Sequence, residues 1–151
     1  IELKKIDITG SPLSGATFYL EWSEDGSLWW PVEYSDSDSP EEGCCSNPDI
    51  QNGLLTTGED GILVWENLYP GLQYRLTETE APDGYNLLNK PAYEGELPTD
   101  DLTVEVRVIN TRIFTMPETG VSTGMVLKVL SLLAAIGCLG AFITVNRKKR
   151  K

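Results

Sequence analysis

Histidine is absent from the 151 residues. Its absence removes Ser-His-Asp and Cys-His nucleophile pairs, HExxH metallopeptidase helices and every zinc site with an imidazole ligand, and with them most hydrolytic chemistry. Cysteine is nearly absent, at Cys44, Cys45 and Cys138. Neighbours in sequence have Cα atoms about 3.8 Å apart, short of the roughly 4.4–6.8 Å of ordinary disulfides, so a ring between Cys44 and Cys45 would be strained. Cys138 falls in an apolar run out of reach of both, which leaves no conventional disulfide staple. Basic residues are scarce where acids are dense: residues 1–119 hold all 23 acids and six bases, net −17, whereas residues 120–151 hold six bases and no acid. So acidic a surface repels phosphate backbones, and nucleic acid is not an expected partner.

The length suggests one domain, and a start on Ile1 rather than methionine is expected of a fragment or processed chain. The one long hydrophobic run is Val126 to Val145, interrupted by Lys128, Ser131 and Thr144. As a helix it reaches roughly 30 Å at ~1.5 Å per residue, enough to cross a bilayer, so a single transmembrane helix is expected over 125–146. Lys128 sits near one end, where it can snorkel to the headgroups. Arg147, Lys148, Lys149, Arg150 and Lys151 follow directly, and the positive-inside rule places such a basic tail, 147–151, in the cytoplasm and the acidic part outside.

Ahead of the span, in a linker over 113–124, stands Met116-Pro117-Glu118-Thr119-Gly120. Pro117 favours an extended segment and Gly120 leaves backbone exposed, as recognition in a protease-like cleft requires. Exposed pentapeptide, apolar span and basic tail, in that order, resemble the Leu-Pro-any-Thr-Gly sorting signal of Gram-positive surface proteins handled by sortases. Met116 replaces the leucine with an unbranched side chain of similar volume. The resemblance implies a cut between Thr119 and Gly120, Thr119 held as a thioester on the sortase, and an acyl acceptor that is a peptidoglycan cross-bridge or a pilin lysine. It also implies an extracellular chain attached covalently to the cell wall and held in the membrane by the helix only before sorting.

Residues 1–112 read as strands: Pro and Gly punctuate short alternating runs, and sustained 3.6-residue periodicity is lacking. The expected fold class is all-β, an antiparallel β-sandwich. On a period of two, Ile1, Leu3, Lys5 and Asp7 share a face, Tyr74, Leu76 and Glu78 share another, and Leu102, Val104, Val106, Val108 and Asn110 a third. Lys5, Glu78 and Asn110 are therefore each in phase with an apolar face, where an unpaired charge costs several kcal/mol. They need one another. One reading is a buried Lys-Glu ion pair capped by an amide. The other is chemical: burial favours a neutral amine and a neutral acid, so Lys5 can attack the Asn110 carboxamide while Glu78 shuttles the proton. Lys4 is the competing amine, but its phase with Glu2 places it in water.

Tyr74-Arg75-Leu76-Thr77-Glu78-Thr79-Glu80-Ala81-Pro82-Asp83-Gly84-Tyr85 matches the Y-x-L-x-E-x-x-A-P-x-G-Y box of Gram-positive pilin and adhesin domains. Lys5-Ile6-Asp7, Leu13-Ser14-Gly15-Ala16-Thr17-Phe18 and Gly61 to Gly71 follow the same pattern. Residues 1–112 thus resemble the prealbumin-like (Cna-B or SpaA-like, inverse immunoglobulin-like) modules. The resemblance implies a structural module rather than an enzyme, with no cofactor, whose reactive lysine falls on Lys5, catalytic glutamate on Glu78 and asparagine on Asn110. A transthyretin-like enzyme is the weaker alternative, since histidine is missing. Between 24 and 52 the chain carries more than the usual hairpin. Asp36, Asp38, Glu41 and Glu42 gather there without the glycine and terminal glutamate of an EF-hand loop, so a solvated loop and no metal are expected. Trp29 and Trp30 either pack under this insertion or form an adhesive site for a host glycan or protein.

Overall fold

Alternating runs between turn residues dictate strands, and the computed structural model, which describes residues 1–114 apart from 38, 40 and 100–102, contains ten of them. They are β1 (Glu2–Asp7), β2 (Thr17–Ser23), β3 (Trp30–Pro31), β4 (Glu33–Tyr34), β5 (Cys44–Cys45), β6 (Leu54–Thr56), β7 (Ile62–Val64), β8 (Gln73–Glu80), β9 (Tyr93–Glu96) and β10 (Glu105–Asn110). The pentapeptide 116–120, the span 125–146 with Cys138, and the tail 147–151 lie outside the described residues, as do Asp38 and Leu102.

One of the two main sheets has the order β10-β1-β7 and the other β3-β2-β8-β9, with β6 also paired to β2; β4 and β5 form a separate two-stranded sheet. Ile1–Phe114 is one compact unit, and the sheets meet over a core that includes Leu3, Phe18, Leu20, Leu55, Leu63, Trp65, Tyr74, Leu76, Val106 and Val108. Pairing is antiparallel except for β1 with β10 and β4 with β5, which run parallel. The parallel pair joins the two ends of the domain, because a parallel neighbour needs a long crossover and here the whole intervening sandwich supplies it. Its register sets Lys5 opposite Val108 and Asp7 opposite Asn110.

Turn chemistry closes the elements. Asn52 (φ 50°) and Gly53 (φ 81°) both occupy the left-handed region in the two-residue turn between Gln51 and Leu54, which an Asn-Gly pair allows at low cost. The insertion over 24–52 adds short β3, β4 and β5 and little else that is regular. Within it Cys45 is buried and Cys44 half-buried, both as free thiols. In a strand, adjacent side chains point to opposite faces, which separates the two sulfurs.

Candidate functional site

Lys5, Glu78 and Asn110 are 0 %, 2 % and 1 % exposed, so all three are shut off from bulk solvent. Each is carried inward by alternation: Lys5 behind Leu3 on β1, Glu78 behind Leu76 on β8, Asn110 behind Val108 on β10. Lys5 Nζ donates to Glu78 Oε1 at 2.5 Å. Asn110 Nδ2 donates to Glu78 Oε1 at 2.9 Å and to Oε2 at 3.2 Å. The three residues come from both sheets and meet at one carboxylate. Lys4, the competing amine, is exposed.

Burial pushes the Lys5 amine below its ordinary value of 10.5, against the opposing hydrogen bond and negative charge of Glu78. Loss of hydration is the larger influence, so the amine is biased toward its neutral, nucleophilic form. The Phe18 ring lies 5.4 Å from Nζ and closes the site on that side. Asn110 Oδ1 is buried without a hydrogen-bond partner, an arrangement that costs about 1–3 kcal/mol. Turning the amide by 180° about Cβ–Cγ would bring Oδ1 to Glu78, and an O–H on that carboxyl would then satisfy it.

Backbone geometry singles out Glu78 from its neighbour Glu80. Strict alternation would send both inward, but pairing shifts between Thr17 and Phe18: Phe18 pairs with Glu78 and Thr17 with Glu80, leaving Thr79 unpaired. This bulge turns Glu80 out to solvent, where it accepts from the Thr17 hydroxyl at 3.1 Å. The Leu88 N–H, from the loop after β8, donates to Glu78 Oε2 at 2.8 Å and fixes the carboxylate plane. Gly61 holds the other side: its carbonyl accepts from Lys5 N at 2.7 Å. A Cβ at Gly61, where φ is +68°, would come within 2.4 Å of the Lys5 carbonyl oxygen.

Sequence reasoning missed Leu88, the Thr79 bulge and the Phe18 contact. Phe18 carried a signal, since it is in phase with Ala16 and Leu20. Leu88 carried none, because it acts through a backbone N–H that every residue but proline has. In the insertion, Trp29 lies against Arg75, whose Cζ is 4.3 Å from the ring centroid, and Arg75 is ion-paired to Glu21 at 2.8 Å. Trp30 packs on Trp22 with centroids 5.3 Å apart and remains 43 % exposed. Both indoles thus make intramolecular contacts while one stays open to solvent. Glu41 accepts from the Ser35 hydroxyl. Among the described residues no three acidic or thiol side chains converge as a metal site would require.

No curated protein matches the sequence significantly. Among solved structures, similarity extends to the backbone protein of the group B streptococcus pilus 2b, with 30 % identity over 74 % of this chain and 40 % of that one, at a TM-score of 0.53. It extends also to BcpA, the major pilin subunit of Bacillus cereus, with 24 % identity over 74 % and 29 % of the two chains, at 0.52. A streptococcal ancillary pilin shares 23 % identity over 76 % and 29 %, at 0.51. The chain spans less than half the length of each of these proteins. Residues 1–112 match the SpaA prealbumin-like fold domain across their whole length, and the chain belongs to that family.

Proposed function

We propose that the chain is a structural module of a Gram-positive, cell-wall-anchored surface protein or pilin subunit, locked by a self-made Lys5–Asn110 isopeptide bond. The observation that carries this reading is the buried convergence of an amine and a carboxamide from the neighbouring first and last strands on the carboxyl group of β8 in the facing sheet. Moving one proton along the Lys5–Glu78 hydrogen bond turns ammonium and carboxylate into amine and carboxylic acid, with no charge left in the interior. Lys5 Nζ then attacks Asn110 Cγ while the Glu78 O–H stabilises the developing oxyanion. Glu78 next gives its proton to Nδ2 and takes the surplus proton from the now cationic Nζ, the Cγ–Nδ2 bond breaks, and ammonia leaves with Glu78 as a neutral acid. One amide is exchanged for another, nothing is oxidised, and the chemistry runs once per molecule.

The bond closes a loop of about 105 residues and replaces the disulfide that Cys44, Cys45 and Cys138 do not provide. The pentapeptide Met116-Pro117-Glu118-Thr119-Gly120 makes the chain a sortase substrate, cut between Thr119 and Gly120 and passed to a cross-bridge amine or a pilin lysine. The apolar run and basic tail hold it in the membrane until then. Pilin similarities support an extracellular, wall-attached location. Intact-mass measurement on the purified chain tests the central step: the wild type is lighter by one ammonia, Glu78→Ala restores the full mass, and Lys4→Ala does not. Full mass in the wild type would overturn the cross-link. A second reading, an adhesive site on the insertion, is favoured by the open face of Trp30; unchanged adhesion after removal of 24–52 would dismiss it.

A further inference from the structure

Beyond the cross-link, the outer face of the β10-β1-β7 sheet carries a charge pattern that neither the core nor the cross-linking site explains. Lys5, Arg75 and Arg112 are engaged within the domain, by Glu78, by Glu21 with Trp29, and by Tyr85. Lys4 and Arg107 instead stand side by side, exposed, in register across β1 and β10, although like charges directly opposite repel. One row away, Glu2 and Glu105 do the same with the opposite sign. The third strand completes the rows with half-buried Val64 beside Glu2 and Ile62 beside Lys4. Among the described residues none of the four charges forms an ion pair.

We infer that this face is an interaction surface for a second copy of the same chain, laid face to face with its strands antiparallel. Two-fold symmetry selects this arrangement. A two-fold axis perpendicular to the strands and midway between the rows, which lie roughly 6.6 Å apart, exchanges the acidic row with the basic one. Glu2 then meets the second copy's Lys4, Glu105 meets its Arg107, and Val64 meets its Ile62. Every column is complementary, and each contact occurs twice. The other alignment, with the axis along the strands between β1 and β10, sets Glu2 against Glu105 and Lys4 against Arg107, like against like. Charge therefore selects the antiparallel arrangement. The face is small beside the roughly 800 Å² per partner of a standard interface, and exposed pairs contribute little each, so the contact is weak and serves copies crowded together.

Net charge makes the test sharp. The first 119 residues carry −17, so bulk repulsion alone predicts that adding bases promotes association. Sedimentation velocity of the full chain in detergent at about 0.15 M salt, where long-range repulsion is screened beyond roughly 8 Å, reads the fraction of paired chains. The Glu2→Lys/Glu105→Lys chain, although less acidic, should dimerise about tenfold more weakly, as should Lys4→Glu/Arg107→Glu. Mixing the two should restore pairing. The fourfold exchange, which keeps the net charge and inverts the pattern, should dimerise within about twofold of the wild type. Association that follows net charge, an unpaired mixture, a fourfold exchange no better than the double ones, or an unpaired wild type would each overturn the inference. Association through the micelle is common to all the variants and cannot imitate this order.

Discussion

Replacing Glu78 by glutamine keeps the shape of the side chain and its acceptor oxygen but removes both the carboxyl proton and the negative charge. Two losses follow. Without the acid the proposed Lys5–Asn110 bond does not form, and a closed loop of about 105 residues is worth about 4.7 kcal/mol by analogy with disulfide loop entropy. Lys5, 0 % exposed, also loses its counter-charge, which costs about 3–5 kcal/mol. The second loss has a ceiling, since the amine can shed its proton instead; from an ordinary value of 10.5 to neutral pH that takes about 5 kcal/mol at 1.36 per unit. Together they approach the whole stability of a domain, about 5–15 kcal/mol. Adding Lys5→Met in the same chain removes the buried amine and leaves the cross-link equally absent. Urea unfolding at pH 7, with intact mass as the control, should therefore find Lys5→Met/Glu78→Gln more stable than Glu78→Gln alone, by up to about 5 kcal/mol. A second substitution that stabilises a damaged site is an unusual outcome, and it follows only from a stranded buried cation. Equal or lower stability of the double variant, or ammonia loss persisting in Glu78→Gln, would refute the reasoning.

In an Asn110→Ala chain, which cannot cross-link, the depressed Lys5 value means that the unfolded state holds the proton over the window below 10.5. The Lys5 contribution to stability is therefore unfavourable at low pH and recovers as pH rises through that window. The stability difference from Asn110→Ala/Lys5→Met should shrink toward alkaline pH in urea titrations, and a widening gap would contradict the sign. Gly61→Ala forces a non-glycine residue to φ +68° and a Cβ to 2.4 Å from the Lys5 carbonyl. A loss of about 1–3 kcal/mol on urea unfolding and slower ammonia release in a mass time course are expected. Arg75→Ala removes the guanidinium from the Trp29 ring and an ion pair from Glu21. The cost should be about 1 kcal/mol, with tryptophan emission shifted to the red as the indole gains water.

Several features of this protein were legible in the residues alone. Alternation in Leu3-Lys4-Lys5, Leu76-Thr77-Glu78 and Val106-Arg107-Val108-Ile109-Asn110 is a local property of the pleat, so strand type and the inward phase of Lys5, Glu78 and Asn110 needed no partner strand to be read. The Asn52-Gly53 turn is equally local, because two consecutive left-handed residues are tolerated by few sequences. Tertiary structure decided what those phases meant. Period-two patterning is blind to strand direction, and the parallel pairing of β1 with β10, which sets Lys5 and Asn110 on neighbouring strands, has no signature in either segment. Nor does alternation distinguish Glu78 from Glu80; the bulge at Thr79, imposed by pairing with Thr17 and Phe18, does that. The Leu88 N–H and the Phe18 ring reach the carboxylate and the amine only when two sheets close over them. A side chain's orientation is set within a few residues of itself, but the group it meets is set by chain that lies tens of residues away, and only the packed sandwich brings the two together.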